Sequence, residues 1–322
     1  MFPYIRSEFI DQASTGKPAV FIAANLYNNE AILDKWMMEL SQLIDWLGPK
    51  NTFVSIYENG STDRTKEMLK EYRAYLAERH VRHEVIVDEK KKDNGRRIPR
   101  LAEIRNRAMD PLPNTRMHFD KVLFLNDIIF EFSDAFNLLM TRGGDYDAVC
   151  AMDFFGEFYD LFATREITEK WVGSGKYPYF EDKNSRELLK KGEPIPVYSC
   201  WNGMIAMKVD PFLKDNIRFR ALVPKEPDMP IEASECCLIH TDLRKHNYTK
   251  IFINPQVKVS YDPFHYWYAN YILPVLDLFY SVSNHPKSMT DAQRESWNNK
   301  TRNMMETHKI DPEDTICLWG GQ

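Results

Sequence analysis

The stretch AVFIAANLYNNEAILDKWMMELSQLIDWLGPKNTFVSIYENGSTDRT, Ala19 to Thr65, switches from one periodicity to another and back. Ala19 to Ala24 is an unbroken apolar run of the kind that forms a strand covered on both faces. It stops at a cluster of amides, Asn25 to Asn29. Ile32, Leu33, Trp36, Leu40, Leu43, Ile44 and Leu47 then recur at three and four, which predicts an amphipathic helix closed by Gly48-Pro49. Thr52 to Tyr57 reads as a second strand, and it breaks into Glu58, Asn59, Gly60, Ser61, Thr62 and Asp63 where the next helix should begin.

The alternation continues outward. Met68, Leu69, Tyr72 and Leu76 mark a second helix and Glu84 to Val87 a third strand; Leu101, Ile104, Arg105 and Ala108 share a helical face, and Lys121 to Leu125 is a fourth strand. Strands and helices in strict alternation predict an α/β fold, a mostly parallel sheet with helices on both sides. In such sheets ligands bind beyond the carboxyl ends of the strands. Here those ends carry Asn25 to Asn29, Glu58 to Asp63, Asp88 and Glu89, and Asn126-Asp127, so polar groups from four strands converge on one crevice. After Asp127, Ile128 to Phe132 and Tyr146 to Met152 read as strands around a helix opened by Ser133. Without a Gly/Ser linker or internal repeat, residues 19–286 read as one domain with halves 19–132 and 133–286, between an extension, 1–18, and a polar tail, 287–322, that wraps the domain or runs loose.

Lys plus Arg number 42 against 47 Asp plus Glu, so the net charge of −5 gives no general attraction to nucleic acid. No stretch approaches about 18 consecutive apolar residues, so no membrane segment is expected in this sequence. Five scattered cysteines, none in a Cys-x-x-Cys pair, leave room for one disulfide, and sequons at Asn59, Asn247 and Asn299 permit a secretory compartment. A dinucleotide Gly-rich loop, a Walker loop and a Gly-x-Ser-x-Gly elbow are all missing.

Several groups could carry chemistry. The basic run Lys90 to Arg100 leads to Arg105 and Asn106; Arg105 sits on an otherwise apolar helix face, where an Arg needs a partner such as a phosphate. FLNDIIF, Phe124 to Phe130, places the Asp127 carboxylate between apolar strands, where a divalent cation and a diphosphate would compensate it. VYSCWNGMIAM, Val197 to Met207, sets Trp201, Asn202 and Gly203 inside a strand-like run, a platform suited to a sugar. Glu235 follows Ser234 at a helix start, and His240 and His265 are the candidate histidines for a metal.

Seven blocks in order, YENGSTDRT (57–65), LAEIRNRAM (101–109), FLNDIIF, AMDFFGEFYDLFATREI (151–167), VYSCWNGMIAM, SECCLIHTDLRK (234–245) and IFINPQVKVSYD (251–262), resemble the fungal α-mannosyltransferases of glycosyltransferase family 69, the cryptococcal capsule-associated family. The resemblance implies a glycosyltransferase A-type fold, GDP-mannose as donor, Mn2+ or Mg2+ as cofactor, a mannoside acceptor joined through an α-1,3 or α-1,2 bond with retention, and a Golgi-lumenal enzyme whose native anchor is absent from this chain. It implies donor binding by Asn25, Glu58, Asn59, Arg105, Asn106 and Asp127, and acceptor binding by Tyr159, Asp160, Arg165, Trp201 and Asn202. Asp153 and Glu235 are the candidates for a catalytic carboxylate. The single Asp127, where the wider fold carries Asp-x-Asp, calls for a further metal ligand, His265 or His240. Two rival readings are a catalytically silent glycan-binding or scaffolding member and, more weakly, a nucleotidyltransferase, against which the missing triphosphate loop counts.

Overall fold

The computed structural model describes residues 17–91, 95–173, 175–222, 232–277 and 291–319, so most of the expected N-terminal extension lies outside the described residues, as do Lys92 to Asn94 of the basic run. Strand β1 (Val20–Leu26) pairs in parallel with β2 (Thr52–Glu58) on one side and β4 (Lys121–Leu125) on the other, and β3 (Arg82–Val87) adds outside β2. Helices α1 (Glu30–Leu47) and α2 (Thr65–Glu78) carry the chain out to β3, and α3 (Arg97–Met109) carries it back to β4. The strand order therefore reverses between β1 and β4, where diverging loops leave a crevice. β1 is apolar throughout because both its faces are covered. Val20, Ile22 and Ala24 pack with Trp36, Leu40 and Leu69, whereas Phe21 and Ala23 share a core with Ala102, Ile104 and Ala108 of α3.

Beyond β4 the sheet is mixed rather than parallel. β5 (Ala148–Phe155) pairs with β6 (Glu157–Phe158) and runs parallel to β11 (Ile251–Ser260); β9 (Met204–Lys208) is antiparallel between β4 and β5. β7 (Arg165–Glu166) and β8 (Ile195–Ser199) close the far edge next to β11. α4 (Phe132–Leu139) covers one face; α5 (Lys183–Lys191), α6 (Asp210–Leu213) and α7 (Glu235–Lys245) contribute Leu188, Phe212 and Ile239 to the other.

Two expected strands differ. Ile128 to Phe132 is not one, because only Ile129 bridges to Ser260; α4 begins after Glu131, whose N–H donates to Asp134 Oδ2 (2.8 Å), and not at Ser133. Val197 to Met207 is split into β8 and β9 by a turn with Asn202 at φ 54° and Gly203 at φ 76°. Glycine is required at that turn, since a Cβ on Gly203 would lie 2.8 Å from Ile128 Cγ2.

The polar stretch after β2 is used mainly to join two loops. Ser61 Oγ accepts from Asn28 N–H, Asp63 Oδ2 from Glu30 N–H and Thr65 Oγ1 from Asn29 N–H, while Thr62 N–H donates to Asn28 Oδ1. These groups fasten the β2–α2 loop to the β1–α1 loop; Arg64 holds the cap position of α2 without a side-chain bond, and Asp63 Oδ1 accepts the N–H of Thr65, the first residue of that helix (3.0 Å). Gly60 takes φ 77° beneath the chain at Lys90 and Lys91.

The tail is fastened down. α8 (Pro263–Trp267) follows β11; α9 (Asp291–His308) precedes β12 (Leu318–Trp319), which pairs with β10 (Glu232–Ala233) just before α7. There are two disulfides where the cysteine scatter suggested room for one: Cys150–Cys200 and Cys237–Cys317. Arg220 bridges Asp242 of α7 and Asp314 of the tail.

Cys317→Ser should cost about 2–5 kcal/mol and open the tail to protease, read by denaturant unfolding and limited proteolysis; unchanged stability would show that the tail contacts suffice. A Cβ at position 60 would lie 2.1 Å from backbone atoms of Lys90 and Lys91, whereas one at Gly143 (φ 65°) meets nothing within 4 Å. Gly60→Ala should therefore lose more than the ~1–2 kcal/mol expected for Gly143→Ala from its left-handed backbone alone, and equal losses in thermal unfolding would refute the close approach.

Candidate active site

At the carboxyl ends of β1, β2 and β4 lies a cleft of about 480 Å3. Asn25 and Tyr27 at the end of β1, Asn59 after β2, and Asn126 and Asp127 after β4 form its floor. One wall is basic, with Lys91 and, from α3, Arg97, Arg100 and Arg105. The opposite wall is aromatic, with Phe155, Tyr159 and Tyr261. Lys91 Nζ stands 4.5 Å over the Tyr27 ring.

Arg105 is the most constrained cation. Its Nε donates to Glu235 Oε1 (3.1 Å) and its Nη1 to Asn126 Oδ1 (3.3 Å), and its guanidinium lies 4.4 Å over the Trp201 ring. Trp201 Nε1 donates to the same Asn126 oxygen (3.3 Å). Four segments that are distant in sequence thus meet at one buried charge: α3, the end of β4, the β8–β9 turn and α7. Arg105 still lines the cleft, so it presents a fixed cation there.

Asp127 is the one carboxylate among the described lining residues. Burial raises its pKa, opposed by a hydrogen bond from Asn29 Nδ2 (3.3 Å). A hard divalent ion held by one or two protein carboxylates typically completes its shell with water and substrate phosphate. A single half-buried carboxylate in a cleft that is also lined by Lys91, Arg97, Arg100 and Arg105 fits an ion that arrives with a diphosphate. It does not fit a resident metal cage: among the described residues the one three-membered cluster at ligating distance is Cys150, Cys200 and His240, and its two sulfurs are joined to each other.

Neither histidine stands with Asp127 in the lining. His240 is fully buried in α7, its Nε2 2.7 Å from the Cys200 carbonyl oxygen, and burial lowers its pKa to about 3. His265 sits at the rim, its Nδ1 bonded to Asp262 and its ring 4.3 Å from that of Phe155.

The remaining expected residues fall into two groups. Asn25, Asn59 and Tyr159 line the cleft; Asn25 donates to the Ile104 carbonyl oxygen (2.9 Å) and keeps its own Oδ1 buried with no hydrogen-bond partner. The others lie behind it. Glu58 receives the Ser61 N–H, and Asn106 exchanges two hydrogen bonds with the Phe219 backbone (2.7 and 2.9 Å). Arg165, expected to touch the acceptor, donates to the carbonyl oxygens of Ile316 and Leu318, clasping the tail, and burial lowers its pKa to about 9. Trp201 is buried beneath Arg105 instead of offering a face to sugar, and Asn202 bonds Thr164 and Ala151.

Asp153 and Glu235, the candidates for a catalytic carboxylate, are both engaged by the protein's own groups, Glu235 by Arg105. Asp153 is fully buried and accepts the Tyr261 hydroxyl (2.7 Å) and the Asp160 N–H (3.0 Å); Asp160 accepts from Ala163 and Asn202 N–H groups. Tyr261, which brings the hydroxyl tied to Asp153 to the cleft wall, was missed from sequence, as were Tyr27 and Phe155. Their usable signal was position, directly beyond or at the end of an apolar strand.

Burial, then the neighbouring Asp160 carboxylate, raises the Asp153 pKa to about 7. The folded chain thus keeps a proton that the unfolded chain releases near pH ~4. Its stabilising contribution is complete below that pH and is lost as pH rises toward about 7. Across this window the wild type should lose stability relative to Asp153→Asn; parallel Tm profiles would show that the pair holds no such proton.

Residues 19–242 match the family described as Cryptococcal mannosyltransferase 1. The chain is 27% identical over 268 residues to an alpha-1,3-mannosyltransferase of Cryptococcus neoformans var. neoformans, covering 75% of this chain and 57% of that protein. It thus spans a little over half of that relative's length. Solved structures with a similar chain path include the mannosyltransferase PcManGT from Pyrobaculum calidifontis in complex with GDP-Man and Mn2+ (14% identity, 85% of this chain, 67% of that one, TM-score 0.45). S. aureus TarS is another (15% identity, 88% of this chain, 43% of that one, TM-score 0.45). The family match runs from the first strand through most of α7, taking in Asp127, Arg105 and Glu235. The chain belongs to the Cryptococcal mannosyltransferase 1 family.

Proposed function

We propose that the protein is a retaining α-mannosyltransferase that moves mannose from GDP-mannose to a mannose-containing glycan. Beyond family membership, the observation that carries this reading is the fixed Arg105 cation facing a strand-end cleft that also holds Asp127. A diphosphate leaving group gains negative charge as the sugar C1–O bond breaks. Arg105 is already desolvated and held by Glu235, Asn126 and Trp201, so it can stabilise that charge with little reorganisation. Asp127 would hold a Mn2+ or Mg2+ ion, which when bound supplies further charge stabilisation at the diphosphate. Arg97, Arg100 and Lys91 extend the positive wall along the donor.

The placement of carboxylates bears on retention. Asp153 and Glu235 are engaged behind the cleft, and neither is free to reach an anomeric carbon. This favours front-face attack: the acceptor oxygen bonds to C1 on the side from which the diphosphate leaves, and the departing phosphate oxygen takes the acceptor's proton. The relative's name favours an α-1,3 linkage for this chain too.

Two disulfides and exposed sequons at Asn247 and Asn299 support an oxidising secretory lumen, and we place the enzyme in the Golgi. Among the described residues no helix is long and apolar enough to cross a membrane.

The deciding experiment measures GDP release from GDP-mannose with a panel of α-mannosides, with and without Mn2+, followed by NMR of the product. A new α-mannosyl linkage is expected. Tight GDP-mannose binding without turnover across the panel would favour the silent glycan-binding reading, and no binding would overturn the donor assignment. Asp127→Asn should lower kcat by about 10^2–10^3 while the fold is kept, as judged by an unchanged Tm. Wild-type turnover in that variant would remove Asp127 from the mechanism.

A further inference from the structure

The aromatic wall of the cleft does not stop at its rim. From Tyr261 the rings continue to Tyr159 (5.5 Å between centroids), Phe155 (6.1 Å), His265 (4.3 Å), Phe264 (5.3 Å) and Trp267 (6.3 Å), each in contact with the next. The first three line the cleft and the last two leave it along α8. They are unusually open for their size: Phe155 is 55% exposed, Tyr159 58%, Phe264 63% and Trp267 49%. Contiguous exposed rings of this kind mark a binding surface.

We propose that this track is an extended acceptor platform, which binds the part of a neutral glycan chain lying beyond the sugar that accepts the transferred residue. The inference rests on the transferase reading above and adds where the rest of the acceptor lies. Three observations favour this occupant. The track is continuous with the cleft, so a chain whose end is at the reaction centre runs onto it. Rings offer flat apolar faces for sugar C–H groups, and the Asp262–His265 pair beside Phe264 supplies hydrogen-bonding partners for hydroxyls. The segments that carry the rings, 153–164 and 259–277, contain no Lys or Arg while Glu157, Asp262 and Asp277 are present, and the cations packed against them are engaged, Lys176 with Glu157 (3.4 Å) and Lys258 with the Ala269 carbonyl oxygen (3.2 Å). A membrane-surface segment or a platform for an acidic polysaccharide is ordinarily rich in Lys and Arg, which the ring-bearing segments lack, so a neutral chain fits best.

The test uses Phe264→Ala and Trp267→Ala in the full chain. Both positions are well exposed, so folding should be retained, as checked by Tm. Transfer to methyl α-mannoside is compared with transfer to an α-mannose tetrasaccharide. At about 0.5–1.5 kcal/mol for each aromatic contact, each variant should raise KM for the tetrasaccharide by about 2- to 10-fold without changing the ratio of kcat values. Equal effects on both acceptors, or none on either, would overturn the platform. Binding of the tetrasaccharide, followed by isothermal titration, provides a readout that does not need turnover: if no mannose is transferred by wild type but Trp267→Ala still weakens this binding, the platform stands and the transferase reading fails. Tighter binding of a uronic-acid oligosaccharide, or of anionic lipid vesicles lost in Trp267→Ala, would assign the track to a different partner and overturn the proposal.

Discussion

The buried ion pair between Arg105 and Glu235 is the constraint on which the rest of the site depends. Placing a guanidinium in a protein interior carries a desolvation penalty of several kcal/mol, and it persists only with a well-placed counter-charge and satisfied donors. Here the counter-charge comes from the first turn of α7, the amide oxygen from the end of β4 and the aromatic face from the turn before β9. None of these groups is useful without the others. The two halves of the sheet are therefore fixed relative to one another by a polar contact at the cleft as well as by their apolar core.

A second shell of the same logic surrounds the aromatic wall. Asp153 is fully buried and Asp160 partly so, and their hydrogen-bond donors are backbone N–H groups and the Tyr261 hydroxyl, with Arg105 and Arg165 acting on Asp160 through space. Such a pair holds the Tyr261 phenol in place at the cleft wall. Positive charge gathers on α3, and Glu235 meets Arg105 from behind the cleft rather than within its lining.

Much of the architecture was legible in Ala19 to Leu125, because β1, β2 and β4 are buried on both faces and each helix there on one, so the two periodicities are clean; β3, at the edge, is partly exposed along its length. The strand-end rule located the cleft, and the Arg on an apolar helix face identified its central cation. What could not be read was direction. Trp201, Asn202, Arg165 and Asn106 have the right chemistry for sugar or phosphate, yet each spends it on the protein's own backbone or on Arg105. Residue type does not reveal whether a polar side chain faces ligand or carbonyl. The split at Asn202–Gly203 was hidden for a related reason, since apolar residues on either side of the turn made two short strands look like one.

The tail is part of the frame of the cleft. β12 pairs with β10, the residue after β10 leads into α7, and Cys317 is joined to Cys237 on that helix, two residues from Glu235. The segment from Pro312 to Trp319 is thus a splint on the helix that holds the central cation. Where an engineer trims the carboxyl terminus or attaches a tag is consequently a choice about chemistry, because a cut short of Leu318 would release the helix one turn away from the charge it steadies.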